Sequence, residues 1–144
     1  MPTLIHLQIG PEQCDVTLPG QPPRQISLPL GSTSLPLRRT PPTPYELELA
    51  IAEIEDVLMY ENPPLPHGAS LHLTSQQPLA AILGAHALQR ADIERAFGQL
   101  AAQLEGDPLA AGHFPLEPAF VAELLILREW MHHLDAPEVT LQQV

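Results

Sequence analysis

Lysine is absent from this chain and cysteine occurs once, at position 14. Without lysine there is no Schiff-base amine and no phosphate-binding lysine of the P-loop type. A lone Cys14 makes neither an intramolecular disulfide nor a cysteine zinc cage. Positive charge is also scarce: six Arg face seventeen Asp and Glu, a formal charge of −11. Nucleic acids and anionic membrane surfaces both require dense positive charge, so no partner of either kind is expected. Long apolar runs are missing too. Uninterrupted runs such as Leu124–Leu127 fall far short of the roughly 20 residues that cross a bilayer. The opening residues MPTLIHLQIG carry no charged leader with an apolar core, so no secretory signal and a cytoplasmic location are expected.

The 144 residues fit one domain, 1–144, with a real but modest core. Charge and composition shift together near Tyr45. Residues 1–44 hold two acids, Glu12 and Asp15, and ten of the eighteen prolines; residues 45–144 hold the other fifteen acids. The first part reads as strands and turns. Thr3–Ile9 and Cys14–Leu18 alternate, and Arg24–Leu30 supplies a third strand that Pro29 ends or confines to an edge. Short connections through Gly10-Pro11 and Pro19-Gly20 predict an antiparallel meander.

The second part reads mainly as helices. Thr43 as N-cap, Pro44 at the first helical position and Glu46 three residues on compose a capping box. Leu47, Ile51, Ile54 and Leu58 then form one buried stripe, with Glu48, Glu55 and Asp56 off it. A short strand over Ala69–Leu73 follows, then helices over 77–85, 90–104 and 117–134. The stripes of the last two are Ile93, Phe97, Leu100, Leu104 and Phe120, Leu124, Leu127, Met131. A final strand spans Val139–Leu141. The expected fold class is therefore α/β, a mixed five-stranded sheet with helices.

Motifs for chemistry are few. Glu129, His132 and His133 lie at i, i+3 and i+4 of one helix, a spacing from which two ligands reach one cation. The sequence identifies no third ligand, and histidines at a helix C-terminus are favoured by the dipole alone, so no metal is assigned. The carboxylates of the 45–61 helix read as a solvated face. Cys14 lacks a basic neighbour and reads as an inert, partly buried thiol. No serine sits in a GxSxG elbow, and there is neither a GxGxxG nor a Walker loop. No catalytic residue is assigned.

Several segments resemble a known family in the same order and spacing. These are QISLPLGSTSLPLRRTPPTPYELELAIAEIEDVL, preceded by LIHLQIGPEQCDVTL and followed by ALQRADIERAFGQLA and FVAELLILREWMHHLDAPEVTL. Together they are similar to the second half of the catalytic core of the Ppx/GppA family, the exopolyphosphatases and guanosine pentaphosphate phosphohydrolases. The resemblance covers about residues 3–141. It implies a ribonuclease-H-like half-domain of the actin-like (sugar kinase/Hsp70) ATPase fold, three antiparallel strands first.

Carried over residue by residue, the family's DIGGGSTE phosphate loop falls on Gln8–Asp15. Its three glycines become Gly10, Pro11 and Glu12, its Ser and Thr become Gln13 and Cys14, and an acid survives as Asp15. The family's GGT falls on Leu73, Thr74 and Ser75, and a small residue at a tight packing point becomes Glu123. Gly10, Gln13, Asp15, Thr74 and Ser75 are thus the vestigial ligand-binding positions. Pro11 lacks an N–H and Glu12 adds negative charge where a polyanion would sit.

The resemblance also implies that the first half-domain, with the other phosphate loop and the catalytic carboxylate, is missing. Two functions follow from it. One is a non-catalytic remnant with no cofactor, acting as an interaction or regulatory module. It would form a homodimer or bind a partner protein through the face left by the missing half, which is expected to be apolar. The other is a split phosphatase subunit or a nucleotide sensor, with magnesium.

Overall fold

A computed structural model describes residues 3–144; Met1 and Pro2, at the start of the expected domain, lie outside the described residues. The meander is present: β1 (Leu4–Ile9), β2 (Cys14–Leu18) and β3 (Arg24–Leu28) pair antiparallel, and β3 stops one residue before Pro29. Helix α1 (Pro44–Met59) then carries the chain to β4 (Ser70–Ser75), which lies parallel to β1. After the short α2 (Leu79–Leu83) come β5 (Ala87–Gln89), α3 (Arg90–Leu104) and α4 (Pro118–His133). The last strand, β6 (Glu138–Gln143), runs parallel to β4.

The sheet has six strands, in the order β3-β2-β1-β4-β6-β5. The expected count of five is corrected by β5, a three-residue edge strand antiparallel to β6. Three residues cannot show an alternation, and Ala87–Gln89 merges in sequence with the start of α3. No helix among the described residues is long and apolar enough to cross a membrane.

Thr43 caps α1 as its spacing predicts: its Oγ1 accepts from the Glu46 amide at 3.1 Å, and Glu46 Oε1 accepts from the Thr43 amide at 2.9 Å. The face of α1 that is buried is Leu47, Ala50, Ile54 and Leu58, with Ile51 at its margin. On α3 likewise Ile93, Ala96 and Leu100 are fully buried, while Phe97 and Leu104 pack at the edge.

Helix α4 departs most from its predicted stripe. Every residue from Phe120 to Leu127 is buried, because α4 lies between α1 and α3 with the sheet beneath it. A helix surrounded on all sides is apolar all round, which is what the run LLIL encodes.

One face of the sheet presents Ile5, Leu7, Ile9, Val16, Leu71, Leu73 and Val139 to these helices. The opposite face is open, and it is polar. Cross-strand neighbours Gln25, Thr17, His6, His72 and Thr140 form a row across five strands. His72 bonds Thr140 Oγ1 at 2.9 Å and Gln142 Oε1 at 3.0 Å, and its ring lies 5.1 Å from that of His6. The open sheet face is therefore not the source of the apolar surface expected where a missing half would dock. Exposed large apolar side chains lie off this face: Tyr45 and Leu49 one turn apart on α1 beside Pro36, Met59 next to Tyr60, and Leu109 alone, while Leu4 stands at the margin of the sheet.

Candidate functional site

The five candidate ligand positions lie near one end of the sheet, where β1 and β4 finish side by side with Gln8 opposite Thr74. Asp15 is the cross-strand neighbour of Gln8 on the other side, so Asp15, Gln8 and Thr74 share the open face. They line a shallow depression of about 750 Å3 together with His6, Thr17 and Ser27. Asp15 does not face it as a free carboxylate. Its Oδ1 accepts from Gln13 Nε2 at 2.9 Å and from Ser27 Oγ at 3.1 Å.

Ser75 is not part of this group. It points to the buried side of the sheet, where its hydroxyl donates to the Gln77 carbonyl at 2.7 Å. Gly10 is engaged in another way. The loop 31–34 lies on the β1–β2 turn, so that the Ser32 amide donates to the Gly10 carbonyl at 2.9 Å. The Thr33 amide and hydroxyl both donate to the Pro11 carbonyl at 2.8 Å. The Gly10 amide closes the turn itself by donating to the Gln13 carbonyl at 2.8 Å.

The two chain segments meet at Gly31, where a Cβ would come within 2.3 Å of the Pro11 oxygen. Gly31→Ala is therefore expected to lift the loop from the turn, at a cost of about 2 kcal/mol or more from overpacking and lost hydrogen bonds. A urea denaturation midpoint unchanged from that of the parent would disprove the contact.

The second turn, after β4, holds a residue that sequence reasoning treated only as a packing change. Glu123 of α4 is 0% exposed, and its two oxygens accept from the Gln76 amide at 3.2 Å and the Gln77 amide at 3.0 Å. Burial pushes its carboxyl above the ordinary value, and the two amides draw it only part of the way back. Its signal in the sequence was a single acid inside FVAELLIL, a setting in which a carboxylate is buried and must find donors.

Cys14, fully buried rather than partly so, stands near this carboxylate. Its thiol is pushed up to about 12, first by burial and then by the charges of Glu123 and Asp15. A thiol so placed stays protonated and inert near neutral pH.

These contacts decide whether the end of the sheet fits a magnesium-bound polyphosphate. A phosphate loop works by leaving backbone N–H groups free for the anion. Here the Gln76 and Gln77 amides serve an internal carboxylate, the Gly10 amide serves its own turn, and Pro11 has no amide hydrogen. The residues present do not fit that group.

A second cluster lies between the helices. Glu129 is 1% exposed; Arg128 Nη1 donates to its Oε2, while its Oε1 lies 3.1 Å from His133 Nε2. The same Nε2 lies 3.8 Å from Glu55 Oε2 of α1. His132 turns the other way, toward Glu94 of α3 at 3.5 Å, and Arg128 Nε also donates to Glu94, at 3.1 Å. Of the predicted trio, then, Glu129 and His133 converge, His132 does not, and Glu55 was missed. Burial alone would lower the Arg128 pKa, but its bonds and charge pairing with Glu129 and Glu94 outweigh this and raise it.

A mixed sheet led by an antiparallel meander, with helices on one face, is the half-domain architecture of actin-like ATPase folds, and here the short β5 extends it at one edge. Comparison with solved structures places this chain there. It has the fold of about half of a Ppx/GppA enzyme. The Aquifex aeolicus PPX-GPPA enzyme superposes with a TM-score of 0.70 at 15% identity, covering 98% of this chain and 53% of that one. An exopolyphosphatase-like protein gives 0.70 at 10% identity over 98% and 54%. An exopolyphosphatase from Cytophaga hutchinsonii gives 0.62 at 12% identity over 99% and 53%. The chain thus spans about half the length of the structures it matches. No family model matches the sequence, and no curated protein does.

Proposed function

We propose that this chain is a non-catalytic module of Ppx/GppA-like fold that acts by binding another protein chain, either a second copy of itself or a separate partner. The observation that carries this reading is the Glu123 carboxylate held by the Gln76 and Gln77 amides, a resident anion at the turn where the resemblance implies contact with ligand. The tied-down β1–β2 turn supports it, because Pro11 has no amide hydrogen and the Gly10 amide is engaged within the turn itself. The matched half-length supports an interaction role, since the related enzymes set about as much chain again beside this fold. The open sheet face, being polar, suits a wet and reversible contact rather than an obligate one.

The test is a phosphate-release assay with polyphosphate and guanosine pentaphosphate in magnesium buffer, run beside thermal shift with the same ligands. Expected are no release above the buffer blank and no rise in Tm at millimolar ligand. Release that Asp15→Asn abolishes would instead favour a split phosphatase, and a Tm rise alone would favour a ligand sensor. Sedimentation from micromolar to near-millimolar protein then separates self-association from dependence on a different partner.

A further inference from the structure

We infer that Glu55, Glu129 and His133 form a binding site for one divalent transition-metal ion, Zn2+ foremost, that ties α1 to α4. One nitrogen, His133 Nε2, faces both carboxylates, at 3.1 Å from Glu129 Oε1 and 3.8 Å from Glu55 Oε2, and all three ligand atoms lie within 4.8 Å of one another. Metal–ligand bonds of about 2.0–2.2 Å set neighbouring ligands roughly 3.0–3.5 Å apart, so the site needs only a small closing movement. Glu55 is the ligand able to make it, being half-exposed.

The other two ligands are already fixed. Glu129 and His133 are one turn apart on α4, so their side chains rise together from one helical face. Arg128 occupies Glu129 Oε2, which orients the carboxylate and leaves Oε1 turned to the site, as an outer-shell donor does for a metal ligand.

Charge favours the same occupant. With the imidazoles neutral, three carboxylates (Glu55, Glu94, Glu129) against one guanidinium (Arg128) leave the cluster at −2, which a divalent cation cancels. One imidazole with two carboxylates suits zinc and its first-row neighbours rather than calcium. Water completes the coordination, since the protein supplies three ligands.

Rivals within the described residues are weak. The His6–His72 pair is close, but both ring nitrogens of His72 are taken by Thr140 and Gln142, and Cys14 is buried and protonated.

The test is titration of the chelator-treated full chain with Zn2+ by calorimetry, with Co2+ as an optical probe of the ligand set. Expected are one equivalent of Zn2+ per chain, a rise in Tm, and visible Co2+ absorption bands. His133→Gln and Glu55→Gln are each expected to weaken binding about tenfold or more, with loss of the Co2+ bands. His132→Gln and His6→Gln should leave it unchanged. Glu55 is exposed enough for its variant to stay folded, which circular dichroism of the metal-free protein verifies. No saturable binding up to about 0.1 mM Zn2+, or undiminished affinity in His133→Gln, would overturn the assignment.

Discussion

Replacing Glu123 with alanine is expected to destabilise the protein by about 2–4 kcal/mol at neutral pH. Two backbone amides at a partly buried turn, those of Gln76 and Gln77, would lose their acceptors at once, at roughly 1 kcal/mol or more each, and a cavity would open beneath the turn. Relief from burying a charge offsets part of this loss. For a chain of this size the fall in Tm is about 10 °C. Glu123→Gln keeps the shape and one acceptor, but turns an NH2 toward the other amide, so its cost is about 1–3 kcal/mol.

The pH dependence separates this account from simple loss of packing. Burial raises the Glu123 carboxyl above its ordinary value in the folded chain. As pH rises through that ordinary value, the unfolded chain releases its proton first, and the contribution of Glu123 to stability falls until the folded carboxyl ionises as well. The cost of Glu123→Gln should therefore be greatest below about pH 4.5 and shrink to a plateau above the raised value. Denaturation curves collected between pH 4 and 8 give this difference directly. A difference that grows with pH would mean that the amides, not burial, dominate the carboxylate.

Much of this fold was legible because its signals are local. The Thr43-Pro44-Glu46 box gave the start of α1, Pro29 the end of β3, and the alternation of Thr3–Ile9 and Cys14–Leu18 the hairpin. What stayed hidden depends on partners distant in the chain. Strand β5 exists because β6 offers an edge to Ala87–Gln89, and nothing within those three residues announces it. The stripe drawn on α4 was too narrow because flanking helices bury its other faces, although Leu124–Leu127 already carried that information.

The candidate site divides in the same way. That Pro11 takes an amide hydrogen away from the β1–β2 turn was plain from the sequence, whereas the pairing of Glu55 with His133 arises only from the packing of α1 on α4. Periodicity assigned Glu55 to a solvated face, and it is indeed half-exposed. Its carboxylate nonetheless leans over the margin of that face toward the neighbouring helix.

Arg128→Met is the second substitution with a large expected effect, about 3 kcal/mol, the low end for breaking a buried ion pair because Glu129 keeps His133 as a partner. Arg128 ties two helices of the layer: it donates to Glu129 of its own helix and to Glu94 of α3, and its guanidinium lies 4.4 Å from the ring centroid of Phe97, also on α3. Methionine retains the apolar bulk over Phe97 but supplies no charge, so Glu129, at 1% exposure, would be left without its guanidinium. Lysine restores the charge without the two-sided fork, and Arg128→Lys is expected to recover only part of the loss. The double variant Arg128→Met, Glu129→Met removes the buried carboxylate together with its half-buried partner and should regain most of the stability, as ion pairs replaced by apolar residues commonly do. Chemical denaturation of these three variants separates the contributions. If Arg128→Met alone matches the parent, the guanidinium holds Phe97 by packing, and the ion pair contributes nothing to the join between α3 and α4.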